Sequence, residues 1–168
     1  KLNGGLGTSM GLEKAKSLLQ IKGEYSFLDI IAQQALALDI PLVLMNSFAT
    51  EEDSLAFLKK YPKLWESGIA LSFLQHKVPK VKQSDLNPVT WTENPDLEWA
   101  PPGHGNIYSA LVTSGMLDKL LESGFKYAFI SNSDNLGAVI DTKILGHLVE
   151  TQAPFLMEVA ERTEMDVK

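Results

Sequence analysis

The chain has 168 residues, no cysteine and a formal net charge of −6 at neutral pH. The absence of cysteine excludes a disulfide framework and a thiolate zinc site, and it fits a cytoplasmic protein. The acidic balance argues against a nucleic-acid surface, and no apolar run approaches the roughly 18 residues of a membrane span. Hydrophobic residues make up 45% of the chain, which is enough for the core of about one domain.

Apolar periodicity and turn residues predict alternating strands and helices. In chain order we predict a strand over 17–21, a helix over 27–38, a strand over 41–45, a helix over 51–60, a strand over 69–74, a long loop over 77–102, a helix over 105–122 with a possible break at Gly115, a strand over 127–130, a helix over 142–149 and a strand over 155–159. Thr50 and Asp53 have the spacing of a capping box for the second helix, and Pro62 is expected to end that helix.

Strands separated by helices imply an α/β fold with a mostly parallel sheet. Ligands of such sheets bind beyond the carboxyl ends of the strands. We therefore expect three polar segments to meet there: the glycine-rich residues 2–11, residues 75–77 and residues 131–135.

The glycine-rich segment LNGGLGTSMG, residues 2–11, is a candidate phosphate loop because glycine lets backbone amides approach phosphate oxygens closely. It is not a dinucleotide fingerprint, since Met10 stands where the third glycine would be. It is not a P-loop, since Ala15 rather than glycine precedes Lys16. A flexible surface turn is the alternative. We expect the Lys16 side chain to be aimed at a phosphate and Lys14 to be solvated.

Two further segments carry candidate functional side chains. The run PPGHG at 101–105 predicts a rigid loop with exposed amides and an uncovered His104. His76 and His147 are interpreted as surface or structural residues. Asp134 follows a predicted strand, where a carboxylate suits Mg²⁺ bound with phosphate oxygens. An Asx turn is the alternative for Asp134.

Together these segments resemble the eukaryotic-type UTP–glucose-1-phosphate uridylyltransferases, also called UDP-glucose pyrophosphorylases. The resemblance runs along essentially the whole chain. The matching segments, in the order of the family, are LNGGLGTSMG with Lys16, FLD at 27–29, PLVLMNSF at 41–48, LQHKVPK at 74–80, PPGHG at 101–105 and SNSDNLGA at 131–138. The resemblance implies a Rossmann-like nucleotide-diphospho-sugar transferase fold, with a mostly parallel sheet flanked by helices.

The resemblance also implies roles for individual residues. It assigns nucleotide binding to Leu2, Asn3, Gly4, Gly5, Gln75 and Gly103, sugar-phosphate binding to His104 and Asn132, and catalysis to Lys16 and Asp134, with Asp134 also the Mg²⁺ ligand. Gln75 reads the uracil with help from the backbone at Gly103. One departure from the family is Asn106, where many members have aspartate. Ser9 after Thr8 favours the glucose branch over relatives that use N-acetylhexosamine 1-phosphates.

We therefore predict a cytoplasmic uridylyltransferase that uses Mg²⁺ to form UDP-glucose and pyrophosphate from UTP and glucose 1-phosphate. A broader UDP-sugar pyrophosphorylase and a non-catalytic nucleotide-binding module are the alternatives, and a homo-oligomer stays open. We expect residues 1–168 to be a partial nucleotidyltransferase catalytic domain. The rest of that domain, with a second active-site lysine, and a left-handed β-helix domain would lie beyond this chain.

Overall fold

The computed structural model describes residues 1–6 and 14–166, and it divides into two compact units, Lys1–Ala138 and Val139–Lys168. In chain order the first unit contains β1 (Leu2–Asn3), β2 (Gln20–Lys22), β3 (Tyr25–Ser26), α1 (Phe27–Ala37), β4 (Leu44–Asn46), α2 (Glu51–Leu58), β5 (Ser72–Leu74), β6 (Val78–Pro79), β7 (Trp99–Ala100), α3 (Ile107–Thr113) and α4 (Met116–Glu122). Short 3-10 helices lie at Lys16–Leu18, Pro62–Ser67, Pro95–Glu98 and His104–Asn106. No helix in the described part of the chain is long and apolar enough to cross a membrane.

The centre of the first unit is a parallel sheet in the order β1-β4-β5. Leu2 lies opposite Met45, and Leu44 lies opposite Ser72. The chain around Asn132 runs parallel along the other edge of β1, where the Leu2 N–H donates to the Ser131 carbonyl at 2.8 Å. The glycine-rich segment and residues 75–77 therefore follow the carboxyl ends of β1 and β5, as predicted, and residues 131–135 lie beside β1. The part of the glycine-rich segment over 7–11 lies outside the described residues.

Helices cover both faces of this sheet because side chains alternate along the middle strand, β4. Leu44 packs into a cluster with apolar residues of α1 and with Leu58 of α2. Its neighbour Met45 packs into a second cluster with Ile107 of α3 and Met116 of α4. The prediction of a mostly parallel sheet flanked by helices is confirmed.

Helix α1 begins at a capping box that the sequence analysis missed. The Ser26 Oγ accepts the Asp29 N–H at 3.2 Å, and Asp29 Oδ2 accepts the Ser26 N–H at 2.8 Å. The capping box predicted at Thr50 is wrong, because the Thr50 side chain caps no N–H of α2. Its Oγ1 accepts instead from the N–H of Ser47, in the turn before the helix. Tight turns compete for the same hydroxyl.

In the first unit, two predicted strands and one predicted loop differ from the structure. The segment over 17–21 begins as a 3-10 helix and becomes the exposed strand β2, which pairs with β3 through a turn at Gly23, where φ is +58°. The segment over 127–130 is not a strand among the described residues, because Leu2 alone bridges to the following chain. The loop predicted over 77–102 contains a small antiparallel pair, β6 with β7. The break at Gly115 is confirmed, with φ at +71° between α3 and α4.

The second unit contains helix α5 (Thr142–Thr151), which confirms the helix predicted over 142–149. Asp141 caps it by accepting the N–H of Lys143 at 2.7 Å. His147 is exposed on this helix, in agreement with its interpretation as a surface residue. The strand predicted over 155–159 is absent from the described residues.

Candidate functional site

A cleft of about 190 Å³ opens at the carboxyl end of the parallel sheet. All of the predicted site residues except Asn3 line it: Leu2, Gly4, Gly5, Lys16, Gln75, Gly103, His104, Asn132 and Asp134. Met45, Pro101 and Ser133 complete the lining, and the sequence analysis missed them. Met45 belongs to a buried strand run and Ser133 lies between two named residues, so neither had a signal of its own. The structure thus brings residues from six separate stretches of chain to one place.

Lys16 and Asp134 form an ion pair inside the cleft, with 2.6 Å between Nζ and Oδ2. Their side chains are 39% and 33% exposed, so both remain accessible to a ligand. The hydrogen bond from Lys16 is the main cause that lowers the pKa of Asp134, and it outweighs the opposing effect of partial burial. Asp134 is therefore a carboxylate at neutral pH, beside the cation best placed to meet a phosphate.

The backbone around these two residues holds them in place. The Lys16 N–H donates to the Gly5 carbonyl at 3.2 Å, which ties the lysine to the glycine-rich segment. After the bridge to β1, the side chain of Asn135 accepts the Ala138 N–H at 3.2 Å. That turn therefore uses Asn135, and Asp134 is left to face the cleft.

Gln75 also lines the cleft, directly after β5. Its N–H donates to the Asn46 carbonyl at 2.8 Å and continues the register of the sheet. Gln75 is only 7% exposed, and its side chain packs against Gly4. A Cβ on residue 4 would lie 2.8 Å from Gln75 Cδ, and closer still to Nε2. Glycine at position 4 is therefore required for this close approach of backbone to side chain.

The PPGHG segment also lines the cleft. Gly103 has φ at +107° and ψ at 179°, a conformation that only glycine adopts readily. His104 follows it at the start of a 3-10 helix and is exposed, as its flanking glycines predicted. The loop geometry thus depends on Gly103, and His104 is presented to the cleft rather than buried.

Asn3 is the one predicted site residue that does not reach the cleft with its side chain. It is 2% exposed, and its Nδ2 donates to Asn46 Oδ1 at 2.7 Å and to Ser54 Oγ at 2.8 Å. Asn46 in turn donates to Ser72 Oγ at 2.8 Å, so hydrogen bonds link all three strands beneath the cleft. A nucleotide-binding role for Asn3 stays a prediction that only its main chain can fulfil.

The donor groups of the cleft fit Mg²⁺ bound together with a nucleotide. No group of three or more histidine, cysteine or acidic side chains that could hold a metal occurs within residues 1–6 and 14–166. Asp134 is the one acidic residue among the described residues that line the cleft. Mg²⁺ is commonly bound by one or two carboxylates, with phosphate oxygens and waters as the other ligands. One carboxylate in an open cleft matches that pattern.

A second cavity, of about 350 Å³, lies near the start of α1 and is lined by Glu24, Tyr25, Asp29, Lys60 and Tyr61. Its central charges are already paired, since Lys60 Nζ lies 2.5 Å from Asp29 Oδ1. Tyr61 also donates to Asp29 Oδ1. The cavity therefore presents a neutralised structural cluster, and the cleft at the sheet edge is the better candidate site.

Known proteins are similar to this chain in sequence and in fold. The model of the UTP–glucose-1-phosphate uridylyltransferase family matches residues 1–168. The chain is 45% identical to the probable UTP–glucose-1-phosphate uridylyltransferase of Schizosaccharomyces pombe, over all of this chain and 34% of that protein.

Two solved structures are similar to the model. The UDP-glucose phosphorylase of Trypanosoma brucei is 49% identical, with a TM-score of 0.89, over 99% of this chain and 37% of that chain. A mutant UDP-glucose pyrophosphorylase of Leishmania major, in complex with UDP-glucose, is 47% identical, with a TM-score of 0.88, over 99% of this chain and 36% of that chain. The chain thus spans about a third of the length of the relatives it matches. With a match along its whole length and the same fold, the chain belongs to the UTP–glucose-1-phosphate uridylyltransferase family.

Proposed function

We propose that the protein carrying this chain forms UDP-glucose and pyrophosphate from UTP and glucose 1-phosphate, and that this chain supplies the nucleotide site. The observation that carries the proposal is the meeting of Gly4, Gln75, Gly103 and the Lys16–Asp134 pair in one cleft. Its relatives with that name, and a similar structure in complex with UDP-glucose, point to the same substrates.

In this proposal the base is recognised by Gln75 and by the backbone of Gly103, which both line the cleft. A glutamine amide offers both a donor and an acceptor, which match the alternating polar groups on the edge of uracil. Gln75 is held nearly buried by Gly4 and by the end of β5, so its amide is oriented before the nucleotide binds. The backbone at Gly103 adds a polar group from the facing loop.

Phosphate recognition falls to the glycine-rich segment and to Lys16. Backbone amides near Gly4 and Gly5 can approach phosphate oxygens because no side chain intervenes. Lys16 adds a full positive charge in the same cleft. His104 and Asn132, on the neighbouring part of the lining, are placed for the sugar phosphate.

We further propose Mg²⁺ as the cofactor, with Asp134 as its protein ligand. When bound, the ion would neutralise charge on the phosphates of the nucleotide. Lys16 contributes a positive charge that belongs to the protein itself and is present in the cleft before any metal binds. This division of charge gives the two residues separate functions that substitutions can distinguish.

The chemistry requires alignment rather than a general base. The attacking oxygen of a sugar phosphate is already ionised at neutral pH, so no proton has to be removed. The protein has to bring two polyanions together in line and to stabilise the charge that grows on pyrophosphate. Lys16 and the loop amides supply that stabilisation with groups held in place before the reaction.

We also infer a cytoplasmic location, which the cysteine-free composition supports. Fractionation of source cells tests it, and recovery of the protein in a secreted fraction would contradict it.

The test of the proposed function is an assay of the complete protein with UTP, Mg²⁺ and a panel of sugar 1-phosphates, with pyrophosphate release as the readout. We expect glucose 1-phosphate to give the highest kcat/KM. Comparable rates with several sugars would identify a broad UDP-sugar pyrophosphorylase. Binding of UTP without turnover of any sugar would identify a non-catalytic nucleotide-binding module.

A further inference from the structure

Asn106 makes a two-point contact with His76 across the cleft wall. The His76 N–H donates to Asn106 Oδ1 at 2.8 Å. The Asn106 amide nitrogen, Nδ2, lies 2.8 Å from His76 Nδ1 and 2.9 Å from Ser109 Oγ. One asparagine side chain therefore holds both the backbone and the imidazole of residue 76.

The hydrogen bonds around His76 select one tautomer of its ring. The backbone N–H of His76 requires an oxygen as its partner, so Oδ1 of Asn106 faces it and Nδ2 faces the ring. Nδ1 of His76 must then be an acceptor, which leaves the ring proton on Nε2. Nε2 lies 2.8 Å from Thr113 Oγ1, and the Thr113 hydroxyl donates to the Ser109 carbonyl at 2.9 Å. Each donated hydrogen in this chain of contacts has one acceptor, since the two hydrogens of Asn106 Nδ2 go to His76 Nδ1 and Ser109 Oγ.

The contact joins the two structures that face the base. His76 directly follows Gln75 at the end of β5. On the other side, the Asn106 N–H donates to the Gly103 carbonyl at 3.2 Å and so supports the positive-φ conformation of Gly103 in the PPGHG segment. Asn106 therefore contacts both His76, the residue after Gln75, and the carbonyl of Gly103. It does not line the cleft itself.

We infer that Asn106 is a positioning residue for base recognition, which fixes the distance between Gln75 and the Gly103 backbone through its contact with His76. This inference rests on the proposed function, since it concerns the recognition of uracil at the same site. The side chain acts through its neighbours and does not contact the nucleotide. Its loss should therefore loosen the base site while leaving Lys16 and Asp134 in place.

The test compares two substitutions in the complete protein, using UTP and CTP as probes. Cytosine carries an amino group where uracil has a carbonyl, so a correctly placed Gln75 amide should reject it. Asn106→Ala removes both contacts with His76 and should raise the KM for UTP about three- to tenfold. It should also narrow the preference for UTP over CTP in kcat/KM, with kcat at saturating UTP changed by about twofold or less. His76→Ala keeps its backbone N–H and should have a smaller effect.

Ser114→Ala is the matched control. Ser114 lies at the end of the same helix, where its Oγ donates to the Leu111 carbonyl and accepts from the Met116 N–H, both at 3.3 Å. It touches neither residue 76 nor the cleft. A merely structural function of Asn106 would lower the melting temperature and the active fraction, as in Ser114→Ala, and leave KM and base preference unchanged. That result would overturn the inference.

A second measurement tests the contact without any turnover. In ¹⁵N NMR spectra, His76 should show a proton on Nε2 and a bare Nδ1 in the neutral ring. Asn106→Asp should move the proton to Nδ1, because the second carboxylate oxygen can only accept. A wild-type ring protonated on Nδ1 would contradict the geometry. If the wild-type protein does not turn over UTP at all, the proposed function fails and the assignment to base choice fails with it, whereas the NMR result still judges the contact.

Discussion

At the scale of single residues, the site depends on the absence of one side chain and on one pair of opposite charges. Gly4 leaves the space that the Gln75 amide occupies, and Lys16 pairs with Asp134 across the cleft. We propose that the two features serve different parts of a nucleotide, one the base and the other the phosphates. Substitutions at each should therefore change different kinetic constants.

Gly4→Ala should displace the Gln75 amide, because the new Cβ would lie 2.8 Å from its Cδ. Overpacking of this kind costs about 1–3 kcal/mol, so we expect kcat/KM for UTP to fall about tenfold or more. The preference for UTP over CTP should also narrow. Gly146→Ala is the control, since an added Cβ there meets nothing within 4 Å. Unchanged base preference in Gly4→Ala would show that Gln75 does not read the base.

Asp134→Asn keeps the shape of the side chain but removes its charge. We expect turnover at ordinary Mg²⁺ concentration to fall by roughly 10²-fold or more, comparable to the loss of one preorganised charge-stabilising group. Asp118→Asn, on α4 and outside the lining of the cleft, controls for the loss of a carboxylate elsewhere. Near-normal turnover of Asp134→Asn would remove Asp134 from the site.

Lys16→Ala tests whether the lysine stabilises the transition state or only binds the nucleotide. If it meets charge that grows on the leaving pyrophosphate, kcat should fall and UTP should bind more weakly. Lys119→Ala, on α4, is the control for the loss of a surface cation. A change confined to KM would make Lys16 a binding residue alone.

At the scale of elements, the start of α1 is held by a buried carboxylate. Asp29 is 2% exposed and accepts from Ser26, Tyr61 and Lys60. Burial alone would raise its pKa, but these hydrogen bonds outweigh burial and lower the pKa to about 2. They tie α1 to the segment after α2, and α1 in turn packs its apolar face on β4. The capping cluster therefore stabilises the layer behind the sheet.

This cluster predicts an acid-dependent loss of stability. The pKa of Asp29 in the folded state lies below its ordinary value of 3.8, so the unfolded chain takes up the proton first as the pH falls. The stabilisation is complete above about pH 4 and is lost between about pH 4 and pH 2, and it amounts to about 2 kcal/mol. Urea unfolding of wild type and Asp29→Asn across this range measures it.

The difference in unfolding free energy between the two proteins should shrink as the pH falls through 4. Asp39→Asn is the control, because Asp39 is exposed and adopts a left-handed conformation, with φ at 52°, that asparagine tolerates equally well. A difference that stays constant down to pH 2 would show that Asp29 stabilises the fold without its charge.

At the scale of the whole molecule, the chain contains the proposed nucleotide site but spans about a third of the length of its relatives. We expect residues 1–168 expressed alone to bind UTP with Mg²⁺ and to release no pyrophosphate at a useful rate. We propose that the glycine-rich segment binds the nucleotide through backbone amides, and that catalysis needs further sugar and phosphate contacts. UTP should raise the melting temperature slightly, because a ligand that binds only the folded state stabilises it. Steady turnover near that of the complete protein would refute this division.

Features that depend on local chemistry could be predicted from the amino-acid sequence. Helix α1 and the break at Gly115 follow from periodicity and from glycine's access to positive φ. The resemblance of short motifs to a known family named most of the residues that line the cleft, but it missed Met45, Pro101 and Ser133. Such signals lie within a few residues of one another, so they can be read without knowing the fold.

Contacts between distant side chains, in contrast, depend on the three-dimensional fold. The segment over 127–130 has the composition of a strand, but a strand needs a partner. Within residues 1–6 and 14–166, Leu2 is the one residue that bridges to the chain beyond it. Asn3 turns away from the cleft because Asn46, 43 positions later, satisfies its amide in the interior. Asn106 contacts His76, which lies 30 positions earlier in the chain, and no local sequence pattern indicates this contact. Hydrogen bonds between distant residues form only after the sheet has brought their strands together, which is why sequence patterns did not reveal them.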